Sequence, residues 1–286
     1  YLAVGDVDGV GSEVKVFLAE PLTEEEIRET FSGQLSHEDE VRWDSRQHAV
    51  IARRVTRFGA VELSETTLFP SAEIVRSTLM GGIAKMGLDV LPWGEHATLI
   101  RTRSEWLRTQ GLIGNDWPDL SAGHLLTTLD HWLGPFCEGI TRKTHLARLN
   151  MVTIVGAMFT YKQQQELDRL APTHITVPTG SRIPVEYRAG APPVLAVRLQ
   201  EMFGQTETPT VAGGKVRVLI HLLSPAHRPL AVTQDLPSFW ANAYFDVRRD
   251  MRGRYPKAHG HATHGGMAES LPATEDPTEF RAGWLW

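Results

Sequence analysis

Residues 174–188 read HITVPTGSRIPVEYR, and the period of this stretch decides how the chain divides. Ile175 and Val177 alternate with polar neighbours before a Thr-Gly-Ser turn, and Ile183, Val185 and Tyr187 alternate after it. A period of two on both sides of a turn predicts a β-hairpin. The hundred residues before it carry a period near 3.6, so the backbone changes type at about Thr173. Downstream, PPVLAVRLQEMFG (192–204) predicts a helix, with Pro193 near its start, Leu195, Leu199, Met202 and Phe203 on one face, and Gly204 beyond its end. KVRVLIHLLSP (215–225) and RPLAVTQ (228–234) predict strands, and the segment between Asp235 and Gly253 predicts a closing helix. Residues 173–257 are therefore expected to form an α+β domain.

Working toward the N-terminus, SAEIVRSTLMGGIAKMG (71–87) has a Ser71 cap and Val75, Leu79 and Ile83 four apart. DLSAGHLLTTLDHWLGPF sets Leu125, Leu129, Trp132 and Leu133 on one face and stops at Gly134-Pro135, and a third helical stretch runs from about Arg142 to Leu170. Residues 70–172 are expected to be a helical bundle. Residues 1–69 alternate as strands around one short helix, TEEEIRETF, where Thr23 and Glu26 make a capping box. This predicts a small OB-like β unit. The fold class expected is thus α+β and multidomain: an OB-like segment at 1–69, truncated at its start, a helical bundle at 70–172, the α+β domain at 173–257, and a flexible tail at 258–286. A chain that opens without methionine, directly in a strand pattern, reads as a piece of a longer protein.

Composition narrows the function classes. The one cysteine, Cys137, leaves no intrachain disulfide and fits a reducing cytoplasm. Its apolar helical setting predicts a buried structural thiol. No apolar run is long enough to span a bilayer, and the opening lacks the pattern of a signal peptide. Residues 1–70 hold 7 Lys/Arg against 14 Asp/Glu, and residues 182–257 hold 11 against 6, so a polyanion would bind the C-terminal part.

Several stretches imitate catalytic motifs and lack a required atom. DVDGVG begins like a calcium loop but has Phe17 where the bidentate Glu belongs. SHEDEV has Val41 at the second histidine position of a zinc helix, and AGGKV continues with Val216 where a phosphate loop needs Ser or Thr. Ser224 lies near His221 and His227 without a GxSxG elbow. His259, His261 and His264 lie among small residues that read as a flexible end. No catalytic residue and no metal ligand is assigned, which disfavours an independent hydrolase.

DVRRDMRGRYPK (246–257) is different, with five Arg/Lys in twelve residues. At 100° per residue Trp240, Tyr244, Val247 and Met251 form a stripe that faces the core, with Arg248 and Arg252 together on one flank. Arg249 has Asp246 three residues earlier; Arg248 and Arg252 have no acid at helical neighbour spacing. Gly253 is expected to end the helix, leaving Arg254 and Lys257 around Tyr255, which Pro256 biases toward extended backbone. Cations beside a protruding aromatic suit single-stranded RNA or DNA. Arginines near a helix C-terminus are also favoured by the helix dipole alone, with Tyr255 packed beneath it. Both readings stay open on spacing.

LAPTHITVPTGSRIPVEY, PPVLAVRLQEMFG and HLLSPAHRPLAVTQDLPSFWANAYFDVRRDMRGRYPK closely resemble the C-terminal region of HrpB-type ATP-dependent RNA helicases of the DEAH/RHA class. FLAEPLTEEEI, ARRVTRFGAVELSE, LPWG and WPDLS are similar to the same family, and the likeness runs to about Lys257, after which the chain departs from it. The resemblance implies an accessory region of a helicase whose ATP- and magnesium-binding motor domains lie outside this chain. It implies partnership with single-stranded nucleic acid and with those motor domains. The alternative is a protein-interaction module that docks on the motor or another partner without touching nucleic acid.

Overall fold

The computed structural model describes residues 1–8 and 15–254, with side chains to 250. In chain order the elements are β1 (Leu2–Asp8), β2 (Lys15–Pro21), α1 (Glu24–Thr30), β3 (Leu35–Asp44), β4 (Ala49–Phe58), β5 (Val61–Thr67), α2 (Ala72–Met86), α3 (Gly94–Thr109), α4 (Ala122–Thr127), α5 (Leu129–Trp132), α6 (Met151–Gly156) and α7 (Tyr161–Leu170). They continue as β6 (His174–Thr176), β7 (Arg182–Glu186), β8 (Val194–Arg198), β9 (Thr210–Val211), β10 (Val216–Arg217), β11 (Leu219–Leu223), β12 (Pro229–Thr233), α8 (Leu236–Ser238) and α9 (Tyr244–Arg254). The architecture is mixed α+β with several small sheets. The described residues form two compact units, one within Tyr1–Pro92 and Leu125–Asn150, the other within Trp93–His124 and the described residues from Met151 onward.

In the first unit β1 and β2 pair as an antiparallel ribbon, and β3, β4 and β5 form an antiparallel sheet in that order. Among the described residues no ladder joins the ribbon to the sheet, so the strands of residues 1–69 lie in two separate sheets. The capping box at α1 is present: Thr23 Oγ1 accepts from the Glu26 N–H, and Glu26 accepts from the Thr23 N–H at 2.8 Å. Helix α2 is capped by Ser71 and buries Leu79, Met80 and Ile83. It also carries Gly82 so close to Trp43 that a Cβ there would sit 2.2 Å from the indole. The face expected over residues 125–133 is buried, but α4 and α5 are separate because the backbone breaks at Thr128. The Trp132 indole N–H donates to the Leu125 carbonyl at 2.9 Å, which supplies a partner to a group freed by the break.

In the second unit a five-stranded sheet runs β12-β11-β8-β7-β6, antiparallel except for the parallel pair β11–β8. The hairpin at 174–188 forms as its alternation predicts, with Ile175 opposite Ile183 and Gly180 in the left-handed region at φ 86°. The segment 192–204 differs from the helix expected of it. Val194–Arg198 is strand β8, with Leu195 and Val197 buried, and Leu199–Met202 is a 3₁₀ turn. Pairing with β11, some twenty residues later, overrides a local pattern that also fits a helix. The stretch from Arg142 to Leu170 is likewise divided, into a 3₁₀ helix over Lys143–Arg148 followed by α6 and α7.

Arg103 on α3 is 3% exposed. Its guanidinium donates to the Ala171 and Leu167 carbonyls at the end of α7 and to Asp168 Oδ1 at 2.7 Å. The last carbonyls of a helix lack internal donors, so this arginine acts as an external cap. Beside it the Trp106 indole N–H donates to the Ala191 carbonyl at 2.9 Å, and Tyr187 Oη donates to the Pro172 carbonyl at 2.8 Å. Burial pushes the Tyr187 phenol well above its ordinary value.

Candidate nucleic-acid interface

The closing helix begins where expected. Asp235 accepts from the Ser238 N–H at 3.1 Å and Pro237 occupies the first turn, where its missing N–H costs nothing. A π-helical turn over Phe239–Ala243 then shifts the helix phase before α9. Trp240 is buried and its indole N–H donates to the Gln205 carbonyl at 2.8 Å. Tyr244 and Val247 are half-buried against the same core, so this part of the apolar stripe faces inward as its spacing predicts. The Trp240 and Tyr244 rings meet edge-on at 5.2 Å, which fixes the roll of the helix.

Arg249 reaches Asp246 at 3.3 Å, the partnership its spacing implies, and both side chains are almost fully in solvent. Arg248 is half-buried and has no ion pair among the described residues. The helix does not stop at Gly253 as expected; it runs through it to Arg254. A glycine inside a helix costs only about 1 kcal/mol, so its presence near an end does not force termination. Arg252 and Arg254 therefore lie on the helix backbone, and their side chains lie outside the description. Tyr255 and Lys257 lie outside the described residues, as do Met251's side chain and His259, His261 and His264.

Three of the imitations of catalytic motifs take ordinary structural places, while the DVDGVG stretch lies partly outside the described residues. SHEDEV is part of strand β3, and Ala212–Gly214 is a left-handed turn between β9 and β10. Ser224 is buried at the β11–β12 turn, where its Oγ accepts from the Arg228 N–H at 3.1 Å. Among the described residues no group of three His, Cys, Asp or Glu is placed to hold a metal, and no helix is long and apolar enough to cross a membrane. Cys137 is buried, and burial pushes its thiol up to about 11. At pH 8 about one thiol in a thousand is then thiolate, so a disulfide reagent is expected to label Cys137 at least 100-fold more slowly in the folded chain than in 6 M guanidinium. Equal rates would place this thiol at the surface.

The arginines of the β3–β5 sheet are neutralised where they stand. Arg54 makes a two-pronged contact to Asp39 at 2.6 and 2.8 Å, which holds that carboxyl below its ordinary value. Arg53 donates to Glu65 at 2.6 Å and to Glu40 at 3.0 Å, and these contacts, Glu65 first, push it above its ordinary value. Arg57 pairs with Glu40 and Glu62. Arg46, Arg142, Lys143 and Arg148, which carry no local signal beyond the Arg-Lys pair at 142–143, are all exposed with no ion pair among the described residues.

Residues 132–261 match the family model described as ATP-dependent helicase C-terminal, which places this part of the chain in the C-terminal region of that helicase class. Residues 34–68 match the connector region of the ATP-dependent RNA helicase HrpB. The chain is 36% identical over 250 residues to ATP-dependent RNA helicase HrpB of Escherichia coli K12, covering 86% of this chain and 30% of that protein. A crystal structure of the E. coli DExH-box NTPase HrpB superposes with a TM-score of 0.65 at 33% identity, covering 97% of this chain and 33% of that one. A second, of the E. coli DEAH/RHA helicase HrpB, gives 0.59 at 36% identity, covering 79% and 29%. The chain belongs to the HrpB family, over its connector and C-terminal regions. It spans about a third of the length of the relatives it matches.

Proposed function

We propose that this chain is the accessory region of an ATP-dependent RNA helicase and that it helps hold single-stranded nucleic acid, with Arg248, Arg252, Arg254, Tyr255 and Lys257 as the contacting residues. The observation that carries the reading is the contrast along α9: Arg249 is occupied by Asp246, whereas Arg248, one residue away, has no acid among the described residues. ATP and magnesium belong to motor domains outside this chain, in the cytoplasm. Residues 1–69 are read as part of an OB-like unit from their strand and helix order alone, the strands themselves pairing as a ribbon and a separate three-stranded sheet.

The test is binding of a fluorescein-labelled 20-nucleotide oligo(U) across a salt series. One phosphate contact to a single strand contributes about −0.7 to the logarithmic salt slope, hence about fivefold in affinity at 0.1 M relative to 1 M. Arg248→Ala is expected to raise Kd about fivefold and flatten the slope by about 0.7. An unchanged Kd and slope would remove Arg248 from the interface.

A second reading, docking onto another protein surface without nucleic-acid contact, is favoured by the β1–β2 ribbon. Leu2, Phe17 and Leu18 are 65%, 63% and 65% exposed there, an apolar surface that a soluble protein ordinarily covers. Association with the motor fragment, with no salt-sensitive oligonucleotide binding, would establish that reading instead.

A further inference from the structure

We propose that the turn at 45–48 and the segment 141–148, both in the first unit, form a second site for the phosphate backbone of single-stranded nucleic acid, separate from α9. It shares with the function proposed above only the class of ligand. The two segments are far apart in sequence and are joined by backbone. Ala49 bridges Arg142, the Val50 N–H donates to the Thr141 carbonyl at 2.8 Å, and the Lys143 N–H donates to the His48 carbonyl at 2.8 Å. This places His48 across from Lys143, with Arg46 two residues away.

The segment is anchored on one side and charged on the other. Leu146 in the 3₁₀ helix and Leu149 just after its end are buried, while Arg142, Lys143 and Arg148 are exposed. At about 2.0 Å per residue the run from 142 to 148 extends about 12 Å, enough to meet more than one phosphate. The Thr141 N–H donates to His145 Nδ1 at 3.5 Å, which ties the imidazole to the start of the segment.

The charge is unbalanced. Residues 45–49 and 138–149 hold Arg46, Arg142, Lys143 and Arg148 against the single acid Glu138. Neighbouring Asp44 is already engaged, accepting from the Arg46 and Gln47 N–H groups and from Arg42. The adjacent sheet shows what this molecule does with arginines that are structural: it pairs Arg53, Arg54 and Arg57 with carboxylates. Arg46, Arg142, Lys143 and Arg148 have no such partner among the described residues. His48 also occupies the left-handed region at φ 48°, a conformation glycine adopts at lower cost, which presents an imidazole beside these cations.

The experiment measures binding of the full chain to labelled 20-nucleotide oligo(U) at several salt concentrations. Arg142→Ala/Lys143→Ala, which leaves the backbone bridge intact, is expected to raise Kd about 25-fold at 0.1 M salt and to flatten the slope by about 1.4. Arg46→Ala, in a turn held by backbone N–H groups, is expected to give about fivefold and 0.7. Lys85→Ala/Lys162→Ala, a pair of exposed lysines elsewhere, is expected to change neither. If the first two variants bind as the unsubstituted chain does while Arg248→Ala loses affinity, this second site is overturned and the α9 reading stands. The reverse result overturns the α9 assignment and leaves this one. A chain that binds no oligonucleotide at 50 mM salt overturns both. Loss of binding to poly-glutamate with retained oligo(U) binding makes the patch a protein contact and also overturns the proposal.

Discussion

Gly82→Ala is expected to destabilise the first unit by about 3 kcal/mol, although alanine is the better helix former. The new Cβ would stand 2.2 Å from the Trp43 ring, and 2.5 and 2.7 Å from two further ring atoms. The indole is held in the buried space between β3 and α2 and has nowhere to yield without moving a strand or a helix. Its neighbour Gly81 faces open space, and Gly81→Ala is expected to stabilise the same helix by about 0.5 to 1 kcal/mol. Adjacent glycines in one helix thus carry opposite signs. Urea unfolding followed by circular dichroism measures both; equal stability of the two variants would show that the indole does not rest on Gly82.

Arg103→Met is expected to cost about 2 to 3 kcal/mol in the second unit. Methionine keeps most of the packed length, so the loss is polar: the buried Ala171 carbonyl loses the donor it has in Arg103, and the end of α7 loses its cap. The ion pair is not the main contribution. The Asp168 side chain is 74% exposed, where such pairs are worth at most about 1 kcal/mol. Asp168→Asn is therefore expected to be near neutral. If it costs as much as Arg103→Met, charge pairing rather than carbonyl capping holds this joint.

Local chemistry was readable wherever the decisive partner lay within a few residues. The Thr23 capping box, the Ser71 cap, the hairpin at 174–188, the Asp235 start of the closing helix and the Asp246–Arg249 pair all follow from spacing. What failed depended on distant partners. Leu195 and Leu199 fit a helical face, while Leu195 and Val197 fit a strand; β11 chooses between them. Gly253 looked like a terminator, and the helix passes through it. Arg101 and Arg103 look alike in sequence, yet Arg103 is buried and Arg101 lies 5.0 Å over the Trp93 ring. The candidate site divides the same way. Arg248 was visible because its missing acid is a local fact, and the cluster of Arg46 with Arg142 and Lys143 was not, because one backbone bridge creates it.

The interleaving of the two units sets the order in which the chain can become a stable protein. The polypeptide passes between units at residues 92/93, 124/125 and 150/151, so neither unit is a continuous piece. On a ribosome the first unit has its sheet and α2 early, but must wait for residues 125–150 to cover them. Helix α3 emerges during that wait, and its Trp106 and Arg103 find their sheet and helix partners only later still. Apolar surface is therefore uncovered through much of synthesis, a window in which aggregation competes with folding. No single cut of the polypeptide separates one unit from the other.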